Sequence, residues 1–241
     1  MGLADWQDLD GALTTADVRR GIANSGTITP PAGGGSFTYG FNSITGDATG
    51  AVGKFCILSG FDPTAGGGSI RGAIKRLSSI ANTGFTPLLF FCAQGGPPSV
   101  NDEAYLLGLE NADPFRIVLR KGSIVSGLPA TDEEGSTWLR RSSEQFTIAD
   151  DLWFHLRLDA LVEPNGDVLL KVFRSVIGGA VDVENPNWQP VTGMTDFVDD
   201  DLAINSGSAP LLAGRGGFAF TVQEAINRRA AVDHVEIFAA T

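Results

Sequence analysis

The chain has 241 residues, of which 43% are hydrophobic, 15 are Phe and only 19% are charged. That composition fills a core and excludes a mostly disordered protein, and all-β sandwiches of this length form single domains. A net charge of −11 opposes nucleic-acid phosphate, so nucleic acid is not an expected partner.

Residues 1–30 read as an N-terminal arm. "MGLADWQDLD" carries acids where a secretory leader carries positive charge and then an apolar run, so no signal peptide is expected and synthesis is placed in the cytosol. Thr14 and Asp17 have the spacing of a capping box, the one hint of a helical turn. Trp6, Leu9, Leu13, Val18 and Ile22 lack a strand alternation long enough for a sheet, which makes them the arm's candidate docking residues.

From residue 31 to 241 a β-sandwich domain is predicted. After "TPPAGGGS" come the extended runs "SFTYGFN", "AVGKFCILS", "SIRGAIKRL", "TPLLFFCAQ", "AYLLGLE", "FRIVLRK" and "TWLRRS". A hairpin, "WFHLRLDALVEPNGDVLLKVFR", follows, and then "GGFAFTV" and "AAVDHVEIFA". Turn residues separate nearly all of them, and no long helix is predicted, so the fold class is all-β: an antiparallel two-sheet sandwich or jelly roll. In the hairpin, Phe154, Leu156 and Leu158 share one face and are predicted to be buried. His155 and Arg157 share the other and are predicted to be more exposed, with a turn at Pro164, Asn165 and Gly166.

"AGGGS" occurs at 32–36 and again at 65–69 without the Lys-Ser/Thr and helix of a phosphate loop, and reads as a flexible start to a strand. "PLLFFCA" is too short to cross a bilayer, and no membrane partner is expected. Cys56 and Cys92 lie in apolar runs and read as two buried thiols, with a disulfide between them as the alternative.

Chemistry-bearing residues are sparse. The chain has two histidines, His155 and His234, and no G-x-S-x-G elbow, so no catalytic residues are assigned. Glycosidases on lectin-like sandwiches use a Glu-x-Asp-x-x-Glu strand, and "AVDHVE" places Asp233 and Glu236 correctly but has Ala231 where the first Glu belongs. A retaining mechanism needs both carboxyl groups. The expectation is therefore that the chain is not an enzyme and that Asp233 and Glu236 are ordinary polar residues at a strand end. Asp199, Asp200 and Asp201 form the candidate Ca²⁺ site, with a solvated loop as the default and no cofactor expected. Arg116, Arg120, Lys121, Arg140 and Arg141 read as the wet side of a sandwich, or as a positive stripe that docks an acidic neighbour.

As an ensemble, "GGGSFTYGFNS", "GGSIRGAI", "AYLLGLENADPFRIVLRKG", "LWFHLRLDALVEPNGDVLLKVF", "INSGSAPLLAGRGGFAF" and "VDHVEIF" resemble a family of tailed-bacteriophage virion proteins with a concanavalin A-like lectin/glucanase sandwich. The resemblance covers residues 17–241 and leaves out the first ten. It implies a structural or decoration component on the head or tail surface, located in the virion, whose partners are other virion proteins and copies of itself. The alternative is a lectin-like module that binds cell-surface glycan in host recognition, for which Trp138, Trp153 and Trp188 are the candidate ligand-binding residues, because aromatic rings pack on the apolar faces of sugars.

Overall fold

The computed structural model describes residues 18–20, 22–23, 26–27, 39–43, 52–58, 67–76, 86–93, 103–110, 114–123, 138–147, 152–175, 182–200, 209–222 and 228–239. They form β1 (Val18–Arg20), β2 (Ile22–Ala23), β3 (Gly26–Thr27), β4 (Tyr39–Ser43), β5 (Val52–Leu58), β6 (Gly67–Arg76), β7 (Thr86–Ala93) and β8 (Glu103–Leu109). The later strands are β9 (Ile117–Ser123), β10 (Trp138–Arg141), β11 (Phe154–Val162), β12 (Val168–Ser175), β13 (Trp188–Pro190), β14 (Phe197–Asp199), β15 (Arg215–Val222) and β16 (Arg228–Ala239). No helix occurs among the described residues.

Two antiparallel sheets result. The larger runs β1-β4-β16-β6-β11-β12-β13, with β14 also on β12, and the smaller runs β10-β9-β8-β7-β15-β5. β2 and β3 pair separately. Between the sheets, Ile70, Ile74, Phe154, Leu156, Leu158, Val168, Leu170 and Val172 of the larger meet Leu89, Phe91, Tyr105, Leu107, Ile117, Leu119 and Phe218 of the smaller. Face-to-face burial of alternating apolar residues is what a sandwich offers each sheet. This is the predicted antiparallel two-sheet sandwich.

The hairpin turn is as read from its residues. Gly166 sits at φ 93, and the Asn165 Oδ1 accepts the Asp167 N–H at 3.1 Å. The glycines of "AGGGS" at 65–69 are not a flexible lead-in, because Gly67 and Gly68 already lie within β6. A Cβ on Gly67, at φ 88, would stand 1.9 Å from the Ala160 carbonyl oxygen. These positions let backbones approach closely.

The division at residue 30 cuts through the sheet pairing: Val18, Arg19 and Arg20 stand opposite Phe41, Gly40 and Tyr39. This stretch is therefore strand rather than helical turn, since a paired neighbour outweighs a weak local cap preference. Val18 belongs to β1 and Ile22 to β2, whereas Trp6, Leu9 and Leu13 lie outside the described residues.

Among the described residues, the smaller sheet does not show the wet outer side expected from its arginines. Leu88, Phe90, Ala104, Leu106 and Val118, which point away from the core, are all buried. Nor do the cations make a stripe. Arg116 donates to the Ser142 carbonyl at 3.2 Å, Arg141 pairs with Glu110, and Arg140 lies 4.1 Å from the Phe197 ring. Lys121 turns inward to Asp199. Burial lowers Arg120 from its ordinary value. Cys92 is a buried thiol, pushed up to about 12 by burial. Cys56 stands opposite Phe218 in register, and its side chain lies outside the described residues.

Candidate functional site

The richest chemistry lies on the outer face of the larger sheet. Strand register sets side chains in rows across β16, β6, β11, β12 and β13. One row runs Ala73, His155, Ser175, Trp188; Asp233 stands opposite Ala73 in register, and its side chain lies outside the described residues. The next runs Glu236, Arg71, Arg157, Phe173, Pro190. A third carries Phe238, Ser69, Asp159 and Lys171. Side chains in such rows are neighbours because residues directly opposite each other on adjacent strands share a face.

Asp233 and Glu236 are therefore not at a strand end, as the sequence reading had them. They lie mid-sheet on β16, between β4 and β6. The register shifts between them, and His234 takes φ 52 inside the irregularity. Such a bulge re-aims side chains locally. Arg71 Nε donates to Glu236 Oε2 at 2.5 Å, and His234 Nε2 stands 3.2 Å from the same oxygen. Arg157 makes a bidentate pair with Asp159, at 2.6 Å from Nε to Oδ1 and 2.6 Å from Nη2 to Oδ2.

Aromatic rings surround the two guanidinium groups. Arg71 lies 4.9 Å from the Phe238 ring, and Arg157 lies 5.3 Å from Phe173 and 6.0 Å from Trp188. Phe238 is exposed, while Phe173 and Trp188 are half-buried.

His155 departs from its predicted exposure. It is completely buried, although Arg157 is half-exposed as expected. The reason is tertiary: the segment from Asp182 to Trp188 folds over this part of the outer face. Asp182 Oδ1 accepts the Glu184 and Asn185 N–H groups at 3.0 and 3.1 Å, and the Asn185 backbone contact holds its carboxyl below the usual range. Val183 packs with Ala73 and Trp153, and Asn187 N–H donates to Ser175 Oγ at 2.8 Å. Trp188 then lies with its ring centroid 4.6 Å from that of His155. Neither imidazole nitrogen has a hydrogen-bond partner. Burial, reinforced by the charges of Arg71 and His234, pushes His155 down from 6.5 to about 3, so the ring is neutral.

Two of the three predicted tryptophans lie on this face. Trp188 stands beside His155, and Trp153 packs with Ala73 and Val183, with Lys75 Nζ 5.8 Å from its ring. Trp138 belongs to the other sheet, opposite Arg120 on β9, and its side chain lies outside the described residues. Of the acidic run, Asp199 is fully buried and committed to Lys121 and Tyr105 rather than lying in a solvated loop. Asp200 is half-buried, and Asp201 lies outside the described residues. Among the described residues no three of His, Cys, Asp and Glu cluster as metal ligands. Sequence reasoning missed Arg71, Arg157, Phe173 and Phe238. Their outward strand parity was visible, but their convergence depends on register between strands far apart in the chain.

No protein-family model matches the chain. No curated protein matches it. Among solved structures, a Bacillus licheniformis β-glucanase is similar at 11% identity and a TM-score of 0.43, covering 97% of each chain. A legume lectin-like domain from Entamoeba histolytica is similar at 9% identity and 0.39, covering 98% of this chain and 90% of that one. A carbohydrate esterase from the Shiga toxin-encoding bacteriophage phi24B is similar at 13% identity and 0.41, covering 93% and 89%. Glucanase and esterase among these matches overturn the expectation that the chain is not an enzyme, which rested on Ala231. One absent carboxylate does not exclude catalysis on such a sandwich. The chain folds as two antiparallel sheets packed face to face.

Proposed function

We propose that the chain binds glycan on the outer face of its larger sheet and presents that face as a component of a tailed-bacteriophage particle. One observation carries the binding reading. Phe173, Trp188 and Phe238 stand around Arg71 and Arg157 on a single outward face, and carboxylates hold both guanidinium groups in place. Sugars offer apolar C–H faces to aromatic rings and hydroxyls to fixed donors and acceptors, and a guanidinium has five N–H groups to share between its carboxylate and a ligand. The particle assignment is supported by the sequence resemblance over residues 17–241, which makes other virion proteins and further copies of the chain its partners.

Titration calorimetry of the purified protein against bacterial surface polysaccharides tests the binding. Trp188→Ala should weaken the interaction about tenfold or more, the loss of roughly one stacked ring. Failure of the unaltered protein to bind any such polysaccharide, or full binding by a folded Trp188→Ala variant, overturns the reading. Localising the chain in a density map of intact particles tests the assignment to the virion.

A further inference from the structure

Behind the proposed glycan face, between the two sheets, lies a second polar group that the binding reading does not use. Lys121 on β9 and Asp199 on β14 belong to opposite sheets, and Lys121 Nζ lies 2.8 Å from Asp199 Oδ2. Both side chains are completely excluded from solvent. The Tyr105 hydroxyl donates to the same Oδ2 at 2.7 Å. Leu211 N–H donates to the Tyr105 oxygen at 3.0 Å, which leaves the phenolic proton to point at Asp199. Asp199 Oδ1 is buried and has no hydrogen-bond partner. Phe91, Leu119, Val168 and Leu211 belong to the same apolar cluster as Tyr105.

An ion pair held in so dry a place recovers little of its desolvation cost, and an orphaned carboxylate oxygen adds to that cost. Passing one proton along the 2.8 Å contact from the ammonium to Oδ2 leaves a neutral amine beside a neutral acid. That amine touches the oxygen bonded to the acid's carbonyl carbon and is locked there by two sheets, the condition under which an intramolecular reaction outruns its solution counterpart.

We infer that Lys121 and Asp199 are joined by an intramolecular amide bond that ties the two sheets together covalently. The step balances without any oxidant or co-reactant. Nζ attacks Cγ, the Nζ–Cγ bond forms and the Cγ–Oδ2 bond breaks. One of the two protons left on the amine reaches the departing hydroxyl through the Tyr105 hydroxyl, the other stays as the amide N–H, and one water leaves. The oxygen that departs is the one holding both donors, and the unpartnered Oδ1 stays as the amide carbonyl. Burial, with the Asp199 charge adding to it, raises the Tyr105 phenol from its ordinary value, so it remains protonated as the relay requires. The link would suit a protein that must hold its shape under load.

Intact mass spectrometry of the full chain after denaturation tests this. The expected mass is lower than the sequence mass by one water, with a tryptic product that joins the Lys121 and Asp199 peptides. The cross-linked chain should also run faster on a denaturing gel. Lys121→Arg retains the cation but cannot form the bond, and should show the full sequence mass and the slower mobility. A wild-type mass equal to the sequence mass overturns the inference. So does a water loss that persists in Lys121→Arg or maps to other peptides. The wild-type peptide map decides the matter even if the variant does not fold, and it is independent of whether glycan binds.

Discussion

The imidazole of His155 lies beneath the indole of Trp188, ring centroids 4.6 Å apart, completely buried on what alternation alone marks as a polar face. Its depressed proton affinity couples folding to pH. The unfolded chain takes up this proton near 6.5 and the folded chain near 3, so between those values the unfolded state holds more protons. Stability from this group is complete above 6.5 and is lost as pH falls toward 3, at ~1.4 kcal/mol for each pH unit in that window. Urea unfolding of the wild type and of His155→Leu across this range should give curves that diverge with that slope. Parallel curves would contradict the burial of a neutral His155.

Trp188→Ala removes the ring that covers His155. Water then reaches the imidazole and stabilises its charged form, so the His155 pKa should rise from about 3 toward its ordinary 6.5. Titration of the histidine ring protons by NMR reads this directly, with His234 as the second resonance.

Leu156 points to the opposite face from His155 and is completely buried among Ile74, Leu89 and Leu170 in the main core. Leu156→Ala should cost about 2 to 5 kcal/mol in chemical unfolding, from lost transfer energy and the cavity left behind. A loss below about 1 kcal/mol would be the size of a surface change and would contradict the packing.

Tyr105 donates to Asp199 and accepts from Leu211 N–H across the space between the sheets. Tyr105→Phe leaves the buried Leu211 N–H without its acceptor. A destabilisation of about 1 to 3 kcal/mol is expected in thermal or chemical unfolding.

Gly67 has φ 88 and no room for a side chain beside Ala160. Gly67→Ala should lower stability by more than about 1 kcal/mol, because it combines backbone strain with a clash against a carbonyl oxygen. A neutral effect on the unfolding midpoint would show that β6 and β11 can separate at no cost.

Period-two alternation in residues such as Phe154, Leu156 and Leu158, together with the Pro164-Asn165-Gly166 turn, was enough to determine the all-β class, the hairpin and its buried face. Those features depend on neighbours a few positions apart. All eleven extended runs read from the sequence became strands, and the short β1, β2, β3, β13 and β14 appeared only in the fold, being too brief to show a period. What the tertiary structure alone decided is which outward residues stay outward. His155 and Arg157 have the same parity, yet Trp188 covers one and leaves the other half-exposed. Lys121 looked like a surface cation and Asp199 like a loop acid, yet each is the other's partner in the core. Arg71 and Glu236 are 165 positions apart and meet because β6 and β16 are adjacent strands. Chain-local pattern assigns a side chain to a face. Whether that face meets water, a covering loop or an opposing charge depends on contacts between segments distant in sequence, which no local pattern records.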